Sequence, residues 1–443
     1  MILDSPNDAA PPDATPSAAS SPDATSTAAS SPDVTSTAAP LPSGLDGRLK
    51  ALYQRQRRLM NLHLDLLYAC DLDCHHCYLD EKKRPQASTA TIIDILEQAA
   101  EMGALQVLFS GGEIFLRKDL FIILEAARRL RFHIRLKTHG GNITGHDARR
   151  LRELGVAQVD FSVYALDPAV HDGFTQKRGS LERTLRGIDL LVAEGLRVEV
   201  KCSVTTQNLA HYRELNEHFG KRGIPCTLSS KIRGTNSITT NTYDLNADFE
   251  DKVEVELYRI AQAGGPRTPG PAPAPTESHF CSAGRTMIYV SPDLEVYPCV
   301  AYPRPVGDLS VQSLAEVWRG DATLADVRAA TRADTHLPAT SAPPMVGICG
   351  TCPARSHCSY CPGSAYIESA GDALIPPAVV CAAAFAKLEA VTRWEQGERP
   401  APEHVAAVKT KRGLFPIAVN LGVLRPAGPS AHGAEHAGGC SCG

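Results

Sequence analysis

Three closely spaced cysteines carry the clearest chemistry in this sequence. Cys70, Cys74 and Cys77 lie in the stretch CDLDCHHC, so that one loop holds three thiolates. Three cysteines can ligate three irons of a cubane and leave the fourth iron open, as a reaction requires when a substrate or cofactor coordinates the metal directly. The alternatives are a zinc loop, which usually has four ligands, and buried structural cysteines. The spacing favours a [4Fe–4S] cluster with one open position.

Seven further cysteines between residues 281 and 381 indicate a second metal-binding region. Cys281 and Cys299 bracket a segment with the pattern of two short strands around a turn. The others are Cys349, Cys352, Cys358 and Cys361, which form CxxC-x5-CxxC, and then Cys381. Seven thiolates can supply four ligands to one cluster and three to another. A structural zinc site in the paired motif is the alternative, but it leaves three of these cysteines unexplained.

The other four cysteines have no such spacing. Cys202 and Cys226 fall within predicted strands, where an unpaired cysteine behaves as a small hydrophobe. Cys440 and Cys442 lie in the terminal segment GGCSCG. We expect this pair to be inert, although it could bind metal with nearby histidines or reach an open iron.

Short β-rich segments alternate with helical patterns after the first fifty residues and predict the scaffold for the first three cysteines. The predicted strands are 62–68, 105–110, 133–137, 157–163, 197–204 and 225–230. Helices are predicted near 90–101, 119–131, 145–153, 180–194 and 210–222. This alternation favours an α/β fold with parallel strands, either an open sheet or part of a (β/α) barrel. The chemistry is then expected at the carboxyl ends of the strands.

Composition divides the rest of the chain and limits its partners. The predicted regions are a disordered N-terminus (1–45), a lead-in helix (46–61), the α/β domain (62–235), a linker (236–280), the cysteine-rich domain (281–385) and a C-terminal helix with a flexible tail (386–443).

The formal charge of −4 and the lack of a long apolar segment or signal peptide favour a cytoplasmic protein without a nucleic-acid or membrane partner. A small molecule, protein or peptide is the expected partner.

The first cysteine loop and the segment after the second strand together resemble the radical S-adenosylmethionine (radical SAM) superfamily. His76 supplies an aromatic ring before the last cysteine, and Ser110 precedes Gly111, Gly112 and Glu113. The resemblance implies a partial (β/α)6 barrel that binds S-adenosylmethionine. It also implies that the two glycines expose backbone to the cofactor and that Glu113 meets its methionine amino group.

The resemblance extends to later strand ends, with less specific residues. Thr138 stands where the family often has a Thr-Asn-Gly turn near adenine, although His139 replaces the usual Asn. Ser162 matches a position whose hydroxyl reaches the cofactor. Arg178 and Lys201 are candidate partners of the cofactor's carboxylate or ribose. Turn residues or solvated charges are the alternative interpretation of these four positions.

The second cysteine region resembles the SPASM domain of peptide- and protein-modifying radical SAM enzymes. By that resemblance Cys349, Cys352, Cys358 and Cys381 hold a distal auxiliary [4Fe–4S] cluster, and Cys281, Cys299 and Cys361 hold a nearer one. Two features depart from the pattern. Only two residues separate Cys358 from Cys361, so a swapped assignment of Cys361 stays open, and Leu294 replaces a usual turn glycine.

The resemblance implies an enzyme that reductively cleaves S-adenosylmethionine to a 5′-deoxyadenosyl radical, using a flavodoxin- or ferredoxin-like electron donor. The favoured substrate is a ribosomally synthesised peptide, modified by a thioether, carbon–carbon or related crosslink. Anaerobic sulfatase maturation is the alternative, and it requires an acidic base that the sequence does not identify. A non-catalytic iron–sulfur or zinc scaffold, or an electron carrier, is the alternative from a different class.

Overall fold

The computed structural model describes residues 45–79, 82–235, 242–266, 281–320, 322–330, 349 and 352–402. Almost all of the N-terminal segment that was predicted to be disordered lies outside these residues. Cys440, Cys442 and most of the predicted C-terminal tail also lie outside them. No helix of the described part is long and apolar enough to cross a bilayer.

Six parallel strands form the centre of the fold, and all six were predicted. They are β1 (Asn61–Asp65), β2 (Gln106–Ser110), β3 (His133–Thr138), β4 (Gln158–Ser162), β5 (Val198–Ser203) and β6 (Cys226–Ser229). Each strand pairs with its predecessor, so the order follows the chain from β1 to β6. Sequential parallel pairing with intervening helices gives the partial (β/α)6 barrel that the sequence resemblance implied.

Seven helices of the described residues accompany these strands, of which the first precedes β1 and the other six connect the strands. They are α1 (Leu45–Gln56), α2 (Thr89–Glu101), α3 (Leu120–Arg129), α4 (Gly145–Glu153), α5 (Pro168–Thr175), α6 (Ser180–Ala193) and α7 (Tyr212–Lys221). The sequence analysis missed α5, although Asp167 accepts from the Ala169 amide as its N-cap and Pro168 opens its first turn. That Asp-Pro pair is a typical helix-start signal.

The cysteine-rich region extends the same sheet. Strand β7 (Met287–Val290) pairs parallel to β1, and β8 (Glu295–Tyr297) and β9 (Gly307–Asp308) continue antiparallel beyond it. Leu294, in the turn between β7 and β8, has φ of 75°. It therefore adopts the left-handed conformation that the usual glycine takes without strain. The two short strands predicted around this turn are present.

Five helices of the described residues complete this part. They are α8 (Phe249–Gln262), α9 (Leu314–Gly320), α10 (Ala322–Ala330), α11 (Pro362–Glu368) and α12 (Ala378–Glu395). The sequence analysis assigned 236–280 to a linker and did not predict α8. Val253 and Leu257 of α8 pack against Ala386 and Ala390 of α12 in a small buried cluster. Small alanines allow close approach of the two helices, so the chain after β6 is anchored to the C-terminal helix.

Candidate active site

The first three cysteines lie on the loop after β1, at the carboxyl edge of the sheet. Cys70, Cys74 and Cys77 line a cavity of about 410 Å³. A turn within the loop brings Cys77 close to Cys74, because the Cys77 amide donates to the Cys74 carbonyl at 3.0 Å. The structure thus gathers the three predicted ligands at the expected end of the strands.

The electrostatics of these thiols suit a bound metal. Burial, together with repulsion from Cys77 and Cys70, raises the pKa of Cys74 to about 12. Burial likewise raises the pKa of Cys77. Thiolates that repel each other in a buried cavity need positive charge beside them, and metal ligation supplies it. The three residues fit a [4Fe–4S] cluster that leaves one iron open to the cavity.

The Gly-Gly segment after β2 forms the adjacent wall of the cavity. The Gly112 amide donates to the Leu67 carbonyl at 2.8 Å, and the Glu113 amide donates to the Ala69 carbonyl at 2.9 Å. Gly111 has φ of 126°, and a Cβ on Gly112 would lie 2.1 Å from the Ala69 oxygen. Glycine is therefore required here because the segment runs directly against the backbone that leads into Cys70.

Glu113 is held inside the protein rather than exposed to the cavity. Its side chain is completely buried, and its carboxylate accepts from the Thr138 hydroxyl at 2.7 Å and from the His139 amide at 3.0 Å. The His139 Nε2 lies 3.1 Å from the same carboxylate. Contact between Glu113 and the cofactor's amino group stays a prediction. The observed bonds tie the β2 segment to the end of β3.

His139 also joins the end of β3 to the cysteine loop. Its Nε2 lies 2.8 Å from Asp71 Oδ1, and the Asn142 side-chain Nδ2 donates to the same carboxylate oxygen at 3.3 Å. Burial opposes protonation, but Glu113, Asp71 and Cys70 together raise the pKa of His139 to about 10. The sequence analysis noted His139 as a departure from the family and missed its partner Asp71. Nothing in the spacing indicated that residue 71 would face residue 139.

The remaining predicted cofactor contacts divide into two groups. Thr138, Ser162 and Lys201 line the cavity, although Lys201 is paired with Glu199. Arg178 is exposed and is not among the cavity-lining residues, so its predicted contact stays without structural support. Lys137 and Asp160 also line the cavity and were missed by sequence reasoning. They lie at paired register positions on β3 and β4, which turns both side chains to the same face.

Arg183 is a further candidate that sequence reasoning missed. It lies on α6, where its Cβ is 3.4 Å from the position a Cβ on Gly141 would take. Its Nε and Nη2 are buried and have no hydrogen-bond partner within the described part of the chain. An unsatisfied buried cationic donor is costly, so an anionic group is expected to complete it. Only burial distinguishes Arg183 from the other arginines of this region, and the sequence does not reveal burial.

Arg183 does not itself line the cavity, but it lies beside Gly141, next to His139 of the cavity wall. We expect Arg183→Ala to weaken binding of S-adenosylmethionine by about tenfold or more, equivalent to about 1.4 kcal/mol, because an anionic group of the cofactor is expected to pair with its unsatisfied donors. Calorimetric titration of the anaerobically reconstituted protein measures this affinity. Arg178→Ala is the matched control, since that side chain is exposed and can be solvated, and it should bind as the wild type does. The opposite ranking of the two variants would restore Arg178 as the carboxylate partner.

Four cysteines of the second region surround a separate small cavity. Cys349, Cys352, Cys358 and Cys381 line a space of about 150 Å³. Burial and repulsion from the other three raise the pKa of Cys381 to about 12. The structure therefore groups the four residues that the resemblance assigned to the distal cluster. Their chemistry fits a four-thiolate iron–sulfur site.

The other three cysteines of this region form their own group. Burial and repulsion from Cys281 and Cys361 raise the pKa of Cys299 to about 12. Cys361 opens α11, and its sulfur accepts from the Ser364 amide at 3.4 Å. Cys361 thus lies with Cys281 and Cys299, as in the unswapped assignment. Cys202 is buried in the main core, and Cys226 packs against it, as predicted.

Fold and site define a class of iron–sulfur enzyme, and comparison with known proteins agrees. The sequence profile of the radical SAM superfamily matches residues 65–220, and that of the SPASM iron–sulfur cluster-binding domain matches residues 281–353. The chain therefore belongs to the radical SAM superfamily and carries a SPASM domain. It binds a [4Fe–4S] cluster and S-adenosylmethionine, and its SPASM domain binds auxiliary iron–sulfur.

Two relatives and one solved structure are similar to a large part of the chain. It is 25% identical to the AdoMet-dependent heme synthase of Oleidesulfovibrio alaskensis over 66% of this chain and 80% of that protein. It is 23% identical to the mycofactocin maturase MftC of Mycobacterium tuberculosis over 82% of this chain and 92% of that protein. The crystal structure of Streptococcus suis SuiB bound to precursor peptide SuiA superposes with a TM-score of 0.58 at 17% identity, covering 76% and 80% of the two chains. The last comparison establishes shared fold.

Proposed function

We propose that this enzyme modifies a ribosomally synthesised peptide, forming a thioether, a carbon–carbon bond or a related crosslink. Two comparisons support a peptide substrate. The mycofactocin maturase is similar over both the barrel and the SPASM region, and SuiB, which shares the fold, binds a precursor peptide. The heme synthase matches a smaller share of this chain.

The observation that carries the proposal is the position of the segment Lys231–Gly234, which follows β6. All four residues line the cofactor cavity. From the same segment, Lys231 donates to Ser359 Oγ at 2.9 Å and Arg233 donates to the Val300 carbonyl at 3.1 Å. Ser359 lies between Cys358 and Cys361, and Val300 follows Cys299. A substrate in the cavity would therefore lie between the cofactor and the auxiliary cysteines.

The chain's residues hold and shield this chemistry. When bound and reduced, the cluster and S-adenosylmethionine supply a 5′-deoxyadenosyl radical that takes a hydrogen atom from the substrate. The Gly111–Gly112 wall and the Asp71–His139 contact fix the cysteine loop, so that the reacting groups stay oriented. Buried side chains such as Tyr164 cover the cavity floor and limit the access of water.

The proposed enzyme also contains two auxiliary clusters, held by the seven cysteines of the second region. Cys349, Cys352, Cys358 and Cys381 hold one [4Fe–4S] cluster, and Cys281, Cys299 and Cys361 hold a second with one position left for another ligand. Clusters held by these cysteines would supply an acceptor for the electron that remains when a crosslink forms. A low-potential flavodoxin- or ferredoxin-like protein supplies the electron that starts each turnover.

The test combines the reconstituted enzyme with the peptide encoded by the short reading frame nearest its gene. With S-adenosylmethionine and a reductant, we expect 5′-deoxyadenosine and a peptide that has lost the mass of two hydrogens, both measured by mass spectrometry. The Cys70→Ala/Cys74→Ala/Cys77→Ala variant is the control and should give neither product. Formation of heme from its precursor, with every tested peptide unchanged, would contradict the proposal.

A further inference from the structure

Two cations of the segment Lys231–Gly234 lie where they can act on the nearer auxiliary cysteines. Lys231 is within electrostatic reach of Cys361 and Cys358, and its contact with Ser359 holds the ammonium beside both. Arg233 is within reach of Cys299, and its contact with the Val300 carbonyl fixes it there. Lys231 and Arg233 thus reach two different members of the group Cys281, Cys299 and Cys361, and Lys231 also reaches Cys358 of the four-cysteine group.

The same two side chains also contact the cofactor side. Both line the cavity that holds the first cysteine loop. The Arg233 guanidinium lies 5.5 Å from the centre of the Tyr78 ring, and Tyr78 is the residue that directly follows Cys77 in the chain. Within the described residues, this segment is therefore a direct physical link between the cofactor loop and the region of Cys299 and Cys361.

We propose that Lys231 and Arg233 form a cationic bridge that raises the reduction potential of the cluster at Cys281, Cys299 and Cys361. Reduction adds one negative charge to a cluster, and a nearby fixed cation stabilises that reduced form. The three thiolates share a half-buried environment, where charges are screened less than in water. The bridge would make this cluster the easier of the two auxiliary clusters to reduce. The inference rests on the proposed pair of auxiliary clusters.

The test is a redox titration followed by electron paramagnetic resonance on the full-length reconstituted chain, in the Cys70→Ala/Cys74→Ala/Cys77→Ala background so that only auxiliary clusters contribute. Arg233→Gln should move one of the two potentials to a more negative value. Lys231→Gln should lower that same potential and also shift the other, because Lys231 also lies near Cys358 of the four-cysteine group. Lys231→Arg, which keeps the charge, should restore the wild-type potential. Lys221→Gln is the remote control, because Lys221 is exposed at the end of α7.

Iron content separates the possible failures. A background protein that binds no auxiliary iron would overturn the proposed clusters themselves. Wild-type iron with unchanged potentials in both glutamine variants would overturn only the cationic bridge. If Lys231→Gln loses iron, Lys231→Met provides a second neutral side chain. Iron loss in both would also overturn the bridge, since Lys231 would then hold the cysteine loop together rather than set a potential.

Discussion

Replacing Cys70, Cys74 and Cys77 together with alanine is expected to remove about four of about twelve bound irons and to abolish cleavage of S-adenosylmethionine. The three thiols line one cavity, and together they provide the only cysteine ligands that the described residues bring to it. Iron analysis and chromatography of 5′-deoxyadenosine measure the two effects. The seven cysteines of the second region do not line this cavity, so their iron should remain.

Cys226→Ala is the matched control for that experiment. Cys226 lies in β6 and packs against the main hydrophobic core. It is not among the residues that line the cavity of Cys70, Cys74 and Cys77. Its replacement should leave the iron content and the cleavage activity unchanged. Retained cleavage in the triple variant would show that these cysteines do not hold the catalytic cluster.

Gly112→Ala is expected to weaken binding of S-adenosylmethionine by about tenfold or more, equivalent to about 1.4 kcal/mol, because the added methyl group must displace a wall of the cofactor cavity. The added Cβ would lie 2.1 Å from the Ala69 oxygen, so either the β2 segment or the cysteine loop must move. Both form walls of the cavity. Titration with the cofactor measures the affinity, and iron analysis shows whether the cluster loop has also been lost.

Gly220→Ala separates this steric effect from a general effect of substituting glycine. Gly220 lies within α7, and a Cβ there would have no heavy atom within 4 Å outside its own helix. Alanine favours helix, so this control should bind the cofactor normally and be slightly more stable. Equal affinity of the Gly112→Ala variant and the wild type would contradict the close approach at Ala69.

Local patterns were sufficient to predict the six strands and the first cysteine group, whereas the partial barrel and the division of the other seven cysteines came from the family resemblance. Apolar segments such as 105–110 mark strands because the strands of a parallel sheet are largely buried, and β2 has three buried residues and two partly buried ones. The cysteines are recognisable because metal ligands must occur in fixed numbers and short spacings. Leu294 shows the limit of such patterns, since its left-handed φ follows from the hairpin and contradicts the preference of leucine.

The contacts around the cofactor required the folded structure. Asp71 meets His139 across 68 positions of sequence, and the burial of Glu113 follows from three strand ends converging. The unsatisfied donors of Arg183 arise from the packing of α6 against the turn after β3. Pairings of this kind depend on tertiary packing, and no periodicity or motif in a single sequence encodes them.

Transfer of deuterium from the peptide to the adenosyl group of the cofactor is the direct sign of radical peptide modification. The peptide from the neighbouring reading frame, made with deuterated side chains, is incubated anaerobically with the reconstituted enzyme, S-adenosylmethionine and a reductant. We expect 5′-deoxyadenosine carrying one deuterium together with a crosslinked peptide, because the radical takes its hydrogen atom from the substrate. Unlabelled 5′-deoxyadenosine with an unchanged peptide would contradict peptide modification, and absence of 5′-deoxyadenosine would contradict radical chemistry altogether.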